Sequence, residues 1–403
     1  MSKEFDCISF REEFTAIENM EMIYLDSAAT SLKPKLMSDT VDKYYKINGA
    51  TVHRSLHKVG KETTEKFELA RHYCAKLINS ISTDNIVWTR GTTESINMIA
   101  YGFLSYNINE GDEIIINDSE HHSNIVPWLI IAKQKNAKIV RIPLKSNGTV
   151  DVLSLKKLIN KRTKLISISQ MSNVTGFMPD ITFIVNLAHQ NGVKVAVDGA
   201  QGVVHSPLDV SLTGVDFYSF SAHKLYGPNG VGVLYYSPNV AEQFHPTYSG
   251  GQMLSTIKGN EVFYKKPPFK YESGTPNIAG VLGFGEVLKW LNTVDFSAME
   301  AYTNKLSKIL SQELTDSIEG YIGYSKAGSS IISFNINRTH HVDMLTLISE
   351  SGVSIRSGKH CAIPLMNHFG VSGTLRASLA PYNNESDIEK LIDAVIKAKK
   401  ILG

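Results

Sequence analysis

VAVDGAQ at 195–201, followed by SAHKLYGP at 221–228, is the stretch that decides the reading of this chain. Three apolar residues, Val195, Ala196 and Val197, read as a buried strand that ends at Asp198. Open α/β sheets bind their ligands at that carboxyl end. A carboxylate there can keep a pyridine nitrogen protonated, and Lys224 supplies an amine able to form a Schiff base with an aldehyde. Ser221 and His223 place polar groups around Lys224, while Gly199, Gly227 and Gly230 permit close backbone approach. Together these residues point to pyridoxal 5'-phosphate. By themselves they leave transaminase, lyase, epimerase and desulfurase chemistry open.

Outward from this centre, short apolar runs alternate with helical patterns: EIIIN (113–117), KIVRI (138–142), KLISIS (164–169), VKVAV (193–197) and VGVLYY (231–236). Such alternation predicts a mainly parallel sheet covered by helices. Residues 181–190 and 62–79 read as two of those helices, the second with Phe67, Ala70, Cys74 and Leu77 on one face. Beyond about 290 the pattern changes to helix 298–314, strand IISFNI, helix 342–350 and a terminal helix from Ser386, for which Ser386 and Glu389 form a capping box. This predicts a smaller α+β domain.

The 403 residues exceed what one core usually organises, and 41 basic against 39 acidic residues leave a formal charge of +2. That balance offers no field for nucleic acid or an anionic membrane. No apolar run reaches the roughly 20 residues of a membrane span, and the charged N-terminus does not read as a signal peptide, so a cytoplasmic protein is expected. Cys7, Cys74 and Cys361 are too far apart for a disulfide framework or a zinc knuckle, and no metal site is expected.

RGTTES (90–95) places a glycine and the hydroxyls of Thr92 and Thr93 just before an apolar helix, where backbone amides face an anion. EHHSNIVPW (120–128) offers His121 and His122, whose side chains must diverge. One of them is expected to stack on the cofactor ring and relay protons. In RSGKHCAIPLM (356–366), Cys361 lies beside Lys359 and His360, whose positive charge would favour its thiolate. Arg376, in GTLRASLAPYN, stands on an apolar strand, where a guanidinium is expected to grip a carboxylate.

These motifs, from YLDSAAT (24–30) through MSNVTG and ESGTPN to LRASLAPYN, resemble the group II cysteine desulfurases, the SufS-type branch related to selenocysteine lyases, along nearly the whole chain. The resemblance implies the fold type I architecture of aspartate aminotransferase: a seven-stranded, mainly parallel sheet in a large domain (21–290), and a small domain made of 1–20 and 291–403. It implies that Lys224 forms the Schiff base, Asp198 pairs with the pyridine nitrogen, Gln201 bonds the ring oxygen and His122 stacks on the ring. Thr92, Thr93, Ser221 and His223 would hold the phosphate, and Thr275 would serve the other subunit of a homodimer. Asn173, Arg356 and Arg376 would face the substrate. Cys361 would take sulfur from L-cysteine as a persulfide, leave L-alanine, and pass the sulfur to a small acceptor protein for iron–sulfur cluster assembly. Alternatives are a selenocysteine lyase acting on L-selenocysteine, or another pyridoxal phosphate lyase or epimerase. The chain departs from the family pattern at Lys359, where the family has histidine, and at Ser55 and Ser95, where it has glycine.

Overall fold

A computed structural model describes residues 5–403. The larger sheet has seven strands: β1 (Ile86–Thr89), β2 (Glu113–Asn117), β3 (Lys138–Ile142), β4 (Thr163–Ser169), β5 (Lys194–Asp198), β6 (Phe217–Ser221) and β7 (Gly232–Tyr236). Their spatial order is β1-β7-β6-β5-β4-β2-β3. The neighbours from β6 through β3 pair in parallel, whereas β7 runs antiparallel to both β6 and β1. Five strands stand where the apolar runs predict them. The other two, IVWT and FYSFS, escaped that reading because one is short and the other interrupts its aromatics with a buried Ser219.

Successive residues of these strands bury on opposite faces, as a pleated strand requires. Ile115, Val195 and Tyr218 pack with Phe67 and Cys74 of helix Lys58–Leu77, Ile184 of helix Ile181–His189 and Phe284 of helix Ile278–Leu291. Ile114, Ile116, Ala196 and Phe217 pack with Ile96, Phe103, Trp128 and Ile131 on the other face. With both faces covered, the sheet's edges and strand ends are where a ligand can reach it.

The second sheet has four strands, β8 (Tyr321–Gly323), β9 (Ile331–Ile336), β10 (Arg356–Gly358) and β11 (Thr374–Ser378), in the antiparallel order β8-β9-β11-β10. Helices Phe296–Ser317, His341–Glu350 and Glu385–Leu402 cover it through Leu306, Met344, Ile388 and Leu391. The terminal helix is capped two residues earlier than expected. Asn384 Oδ1 accepts from the Asp387 N–H and Asp387 Oδ2 from the Asn384 N–H, so the capping box is Asn384/Asp387 rather than Ser386/Glu389.

The N-terminal segment touches both parts of the chain, with Cys7 donating to Asn383 O at 3.3 Å and Arg11 to Asp387 at 3.0 Å. Phe10 and Phe14 pack in the larger core, with Phe10 stacked on Trp290 at 5.2 Å and Phe14 against Tyr382 at 4.9 Å. Ile23–Tyr24, by contrast, pairs in parallel with Val353–Ser354. Aromatic burial ties Phe10 and Phe14 to the larger core.

Candidate active site

Asp198 is the last residue of β5 and Ser221 the last of β6, and Lys224 follows in a tight helical turn, Ala222–Lys224. The segment between β1 and the helix Thr92–Met98 crosses close to β7: a Cβ at Gly232 would lie 2.4 Å from Gly91 Cα. That approach brings the Thr92 N–H to Ser221 Oγ at 2.8 Å and the two hydroxyls to 2.7 Å. Thr93 Oγ1 lies 2.7 Å from Ser123 Oγ. The result is a cluster of hydroxyls and a backbone amide at a helix start, with His223 nearby, where an anion finds donors.

A cavity of about 520 Å³ opens on this cluster. Thr92, Thr93, Asp198, Gln201, Ser221, His223 and Lys224 line it from the larger sheet, together with Asn173. Arg356, Cys361 and Arg376 line it from the smaller one. Residues more than 260 positions apart in the chain therefore share one space, because the loop between β10 and helix Ile363–Phe369 hangs over the ends of β5 and β6.

One expected residue lies elsewhere. His121, not His122, lines the cavity. The His122 N–H donates to Cys361 O at 2.8 Å and its Nε2 accepts from the Ile363 N–H at 3.1 Å, so His122 is turned away to pin the loop that carries Cys361. His121 Nδ1 accepts from the Ser123 N–H at 3.1 Å, which leaves the ring proton on Nε2. Burial, with Lys224 nearby, lowers the His121 pKa to about 4, so the ring is neutral near pH 7. Thr275 lines a separate cavity with Arg90, Glu94 and Tyr248.

Electrostatics within the cavity follow from desolvation. Burial lowers the Lys224 pKa to about 8 against the opposing pull of Asp198, leaving an amine that is partly unprotonated near neutrality. The Asp198 carboxyl is pushed up by burial; Oδ1 accepts from the Ala200 N–H at 2.9 Å and Oδ2 is left for another donor. Arg356 and Arg376 are direct cross-strand partners on β10 and β11, an unfavourable pairing of like charges. Asp26, from the YLDSAAT stretch, lies between them: Oδ2 accepts from Arg356 Nε and Nη2 at 3.1 and 3.0 Å, and Oδ1 from Arg376 Nη2 at 3.3 Å. Arg376 also donates from Nη1 to Asn173 O at 3.0 Å, and its buried Nε has no partner.

Cys361 is exposed, and both it and His360 have positive φ, 55° and 49°, a conformation costly for non-glycine residues. Asn173 Nδ2 holds the turn by donating to His360 O at 2.7 Å. His360 cannot supply the positive charge expected beside the thiol. It is 8% exposed, and burial beside Arg376 lowers its pKa to about 3. Lys359 is exposed to solvent.

Asp26 and Glu120 belong to the site's frame and had no assigned role in the sequence. Glu120 is 1% exposed; its carboxylate accepts from Asn117, from Asn124 Nδ2 at 2.7 Å and from the Ser169 N–H at 3.0 Å, tying the His121 turn to the end of β4. Ser169 is the register partner of Asp198 on β5. A glutamate beside two histidines gives no sign in sequence that it points inward.

The family model described as Aminotransferase class-V matches residues 23–391. "Cysteine desulfurase CsdA" of Escherichia coli (strain K12) is 42% identical over 398 residues, covering 99% of each chain. A crystal structure of cysteine desulfurase CsdA from Escherichia coli superposes with a TM-score of 0.95, at 42% identity and 100% coverage of both chains. The apo cysteine desulfurase of Thermococcus onnurineus NA1 gives 0.93 at 30% identity, covering 99% of this chain and 100% of that one. Matched from end to end in sequence and in structure, the chain belongs to the class V aminotransferase family.

Proposed function

We propose that the chain is a pyridoxal 5'-phosphate-dependent cysteine desulfurase that converts L-cysteine to L-alanine and carries the sulfur as a persulfide on Cys361. One observation carries this reading: Cys361 opens on the same cavity as Lys224, Asp198 and Arg376. The donor set fits the cofactor. Lys224 offers a buried amine, Asp198 a buried carboxylate with one uncommitted oxygen, and Thr92, Thr93, Ser221 and His223 a cluster of phosphate donors. When bound, the cofactor supplies an electron-withdrawing ring that acidifies the substrate α-carbon and loosens its sulfur.

The chain's own residues do the rest. The unpartnered Arg376 Nε and the nearby Arg356 orient the substrate carboxylate, with Asp26 keeping the two guanidinium groups in place. Lys224, which gives up its proton readily, takes the α-proton. His121, neutral with its proton on Nε2 and lining the cavity, would be the histidine that stacks on the ring, in place of the His122 that the resemblance implies. Cys361 as thiolate attacks the substrate sulfur: the S–S bond forms, the C–S bond breaks, and its electron pair returns to the carbon that becomes the alanine methyl after protonation. The exposure of Cys361 suits the next step, delivery of the sulfur to the thiol of a small acceptor protein for iron–sulfur cluster assembly.

A homodimer in the cytoplasm completes the proposal. Thr275 lies outside the cavity of its own chain, as a residue offered to a neighbour's phosphate would. The hairpin Leu254–Lys258 and Glu261–Tyr264 keeps Ile257, Val262, Phe263 and Tyr264 exposed, an apolar face suited to a second copy. All three cysteines are unpaired, and among the described residues no helix is long and apolar enough to cross a membrane. The decisive measurement is the mass of the Cys361 peptide after anaerobic incubation with L-cysteine. One added sulfur is expected, and an unmodified thiol beside released alanine would refute the persulfide.

A further inference from the structure

Behind Lys224 lies a second, much smaller hollow, lined among others by Lys224, Gln201, His205, Glu300 and Ser330. Its space is about 20 Å³, and one water needs roughly 10–15 Å³ together with polar neighbours. From this hollow a hydrogen-bonded chain leads outward. Ser330 is 2% exposed, and its Oγ lies 3.0 Å from His205 Nε2; His205 Nδ1 lies 2.8 Å from Glu300 Oε2. At the far end His205 and Glu300 also line an open surface cleft, where the Glu300 side chain is 29% exposed.

The polarity of this chain follows from its end group. A carboxylate only accepts, so His205 Nδ1 carries a ring proton; in the tautomer with that single proton, Nε2 accepts and Ser330 donates to it. The lone pairs of Ser330 Oγ remain for a donor in the hollow. A serine, a histidine and a glutamate in this order also form a nucleophile–base–orienter set. Space for one water admits no acyl substrate, so hydrolysis is excluded here.

Lys224 takes one proton from the substrate, whereas alanine needs one at Cα and one at its methyl, so the site must exchange protons with solvent. On the cavity side Lys224 faces Asp198, Arg376, Cys361 and Arg356, and His121, whose one acceptor nitrogen is taken by the Ser123 N–H. The arginines cannot accept a proton. Asp198 is committed to the ring nitrogen and Cys361 to sulfur in the proposed reaction.

We propose that Ser330, His205 and Glu300 form a proton relay that connects Lys224, through one water in the hollow, to solvent. The inference rests on Lys224 as the proton carrier of the proposed reaction. The Lys224 ammonium gives one proton to the water, and the water gives one to Ser330 Oγ. The Ser330 hydroxyl proton moves to His205 Nε2, the Nδ1 proton moves to Glu300, and solvent takes it from there. Each intermediate group ends with as many protons as it began with and one proton has left Lys224; the same chain run in reverse returns the proton that the alanine carbons need.

The test follows an isotope. L-cysteine carrying deuterium at Cα is turned over in ordinary water, and deuterium retained in the alanine is read by mass spectrometry. The wild type, whose Lys224 exchanges during each turnover, is expected to retain almost none. Ser330→Ala breaks the chain. Glu300→Gln, at a partly exposed position that does not endanger folding, lets an amide donate to Nδ1 and reverses the polarity. Both variants should raise retention toward about the one-in-three share of an ammonium whose three hydrogens do not exchange, and Ser330→Thr, which keeps the hydroxyl, should return it to the wild-type level. A purely structural role would alter rate without altering retention. Variants that match the wild type, or a wild type that itself retains deuterium, overturn the relay. An independent readout is a crystal structure of the cofactor-free protein, where a water within hydrogen-bonding distance of both Lys224 Nζ and Ser330 Oγ is expected and a dry hollow overturns the proposal. Failure of the wild type to release alanine would instead count against the desulfurase reading, and the water position would then decide the relay.

Discussion

Lys224 is the group whose titration the fold alters most consequentially. Its pKa is lowered to about 8, first by burial and then by Arg376 and Arg356, with Asp198 and Cys361 opposing. Only the unprotonated amine can attack the cofactor aldehyde. At pH 7 about one Lys224 in eleven is in that form, against fewer than about one in a thousand for an ordinary lysine of pKa ~10.4. Stopped-flow mixing of cofactor-free protein with pyridoxal 5'-phosphate, followed at the imine band, should show a rate that climbs about tenfold per pH unit below 8 and levels off above it. Parallel mixing with a simple lysine derivative corrects for ionisations of the cofactor itself. Asp198→Asn removes a charge that holds the amine protonated, so the break should move to lower pH. A rate still climbing tenfold per unit to pH 10 would refute the buried-amine argument. The sign of the linked stability is fixed as well. A lysine with a lowered folded-state pKa binds fewer protons folded than unfolded between the two pKa values. The cofactor-free protein should therefore gain about 3 kcal/mol as pH rises from about 8 to about 10.5.

Further expectations concern the frame of the site. His121→Gln should lower kcat by about 10²–10⁴-fold, as loss of a proton-handling side chain does; His122→Gln should leave cofactor absorbance intact and act mainly on persulfide formation, which single-turnover mass spectrometry separates. Asp26→Asn leaves Arg376 buried beside Arg356 without its carboxylate and should destabilise the protein by about 2–3 kcal/mol in urea, with part recovered by L-alanine, whose carboxylate replaces the missing charge. Glu272 makes a two-pronged pair with the fully buried Arg71 at 2.6 and 3.0 Å and accepts from the Trp88 N–H at 2.7 Å. Glu272→Gln should cost about 3 kcal/mol, read from the shift of the denaturation midpoint.

The parts legible in the chain were those whose signal is local. Ile114, Ile115 and Ile116 read as a strand buried on both faces because no polar residue interrupts them, and they are buried on both. Asp198 and Lys224 were legible because a carboxylate ending an apolar run and a lysine among hydroxyls and glycines are rare locally. His121 and His122 defeated the same approach. Adjacent side chains diverge, so sequence shows that only one can face the cavity, and the choice is made by Cys361 O and the Ile363 N–H, which capture His122 from about 240 residues away. The part of the charge argument at Cys361 that rested on His360 failed similarly: His360 is next in sequence but is buried against Thr374, and burial keeps it neutral.

By itself the sequence determined the alternation of strands and helices, the amine and carboxylate at the strand ends, and the cysteine on a polar loop, since each is set by residue type and by spacing within a few positions. Tertiary structure alone decided that Asp26 would separate Arg356 from Arg376, that Glu120 would brace the His121 turn, and that Ser330, His205 and Glu300 would line up behind Lys224. The physical reason is shared. A buried polar group is stabilised by partners that complete its hydrogen bonds, and partners distant in sequence arrive only when the chain folds.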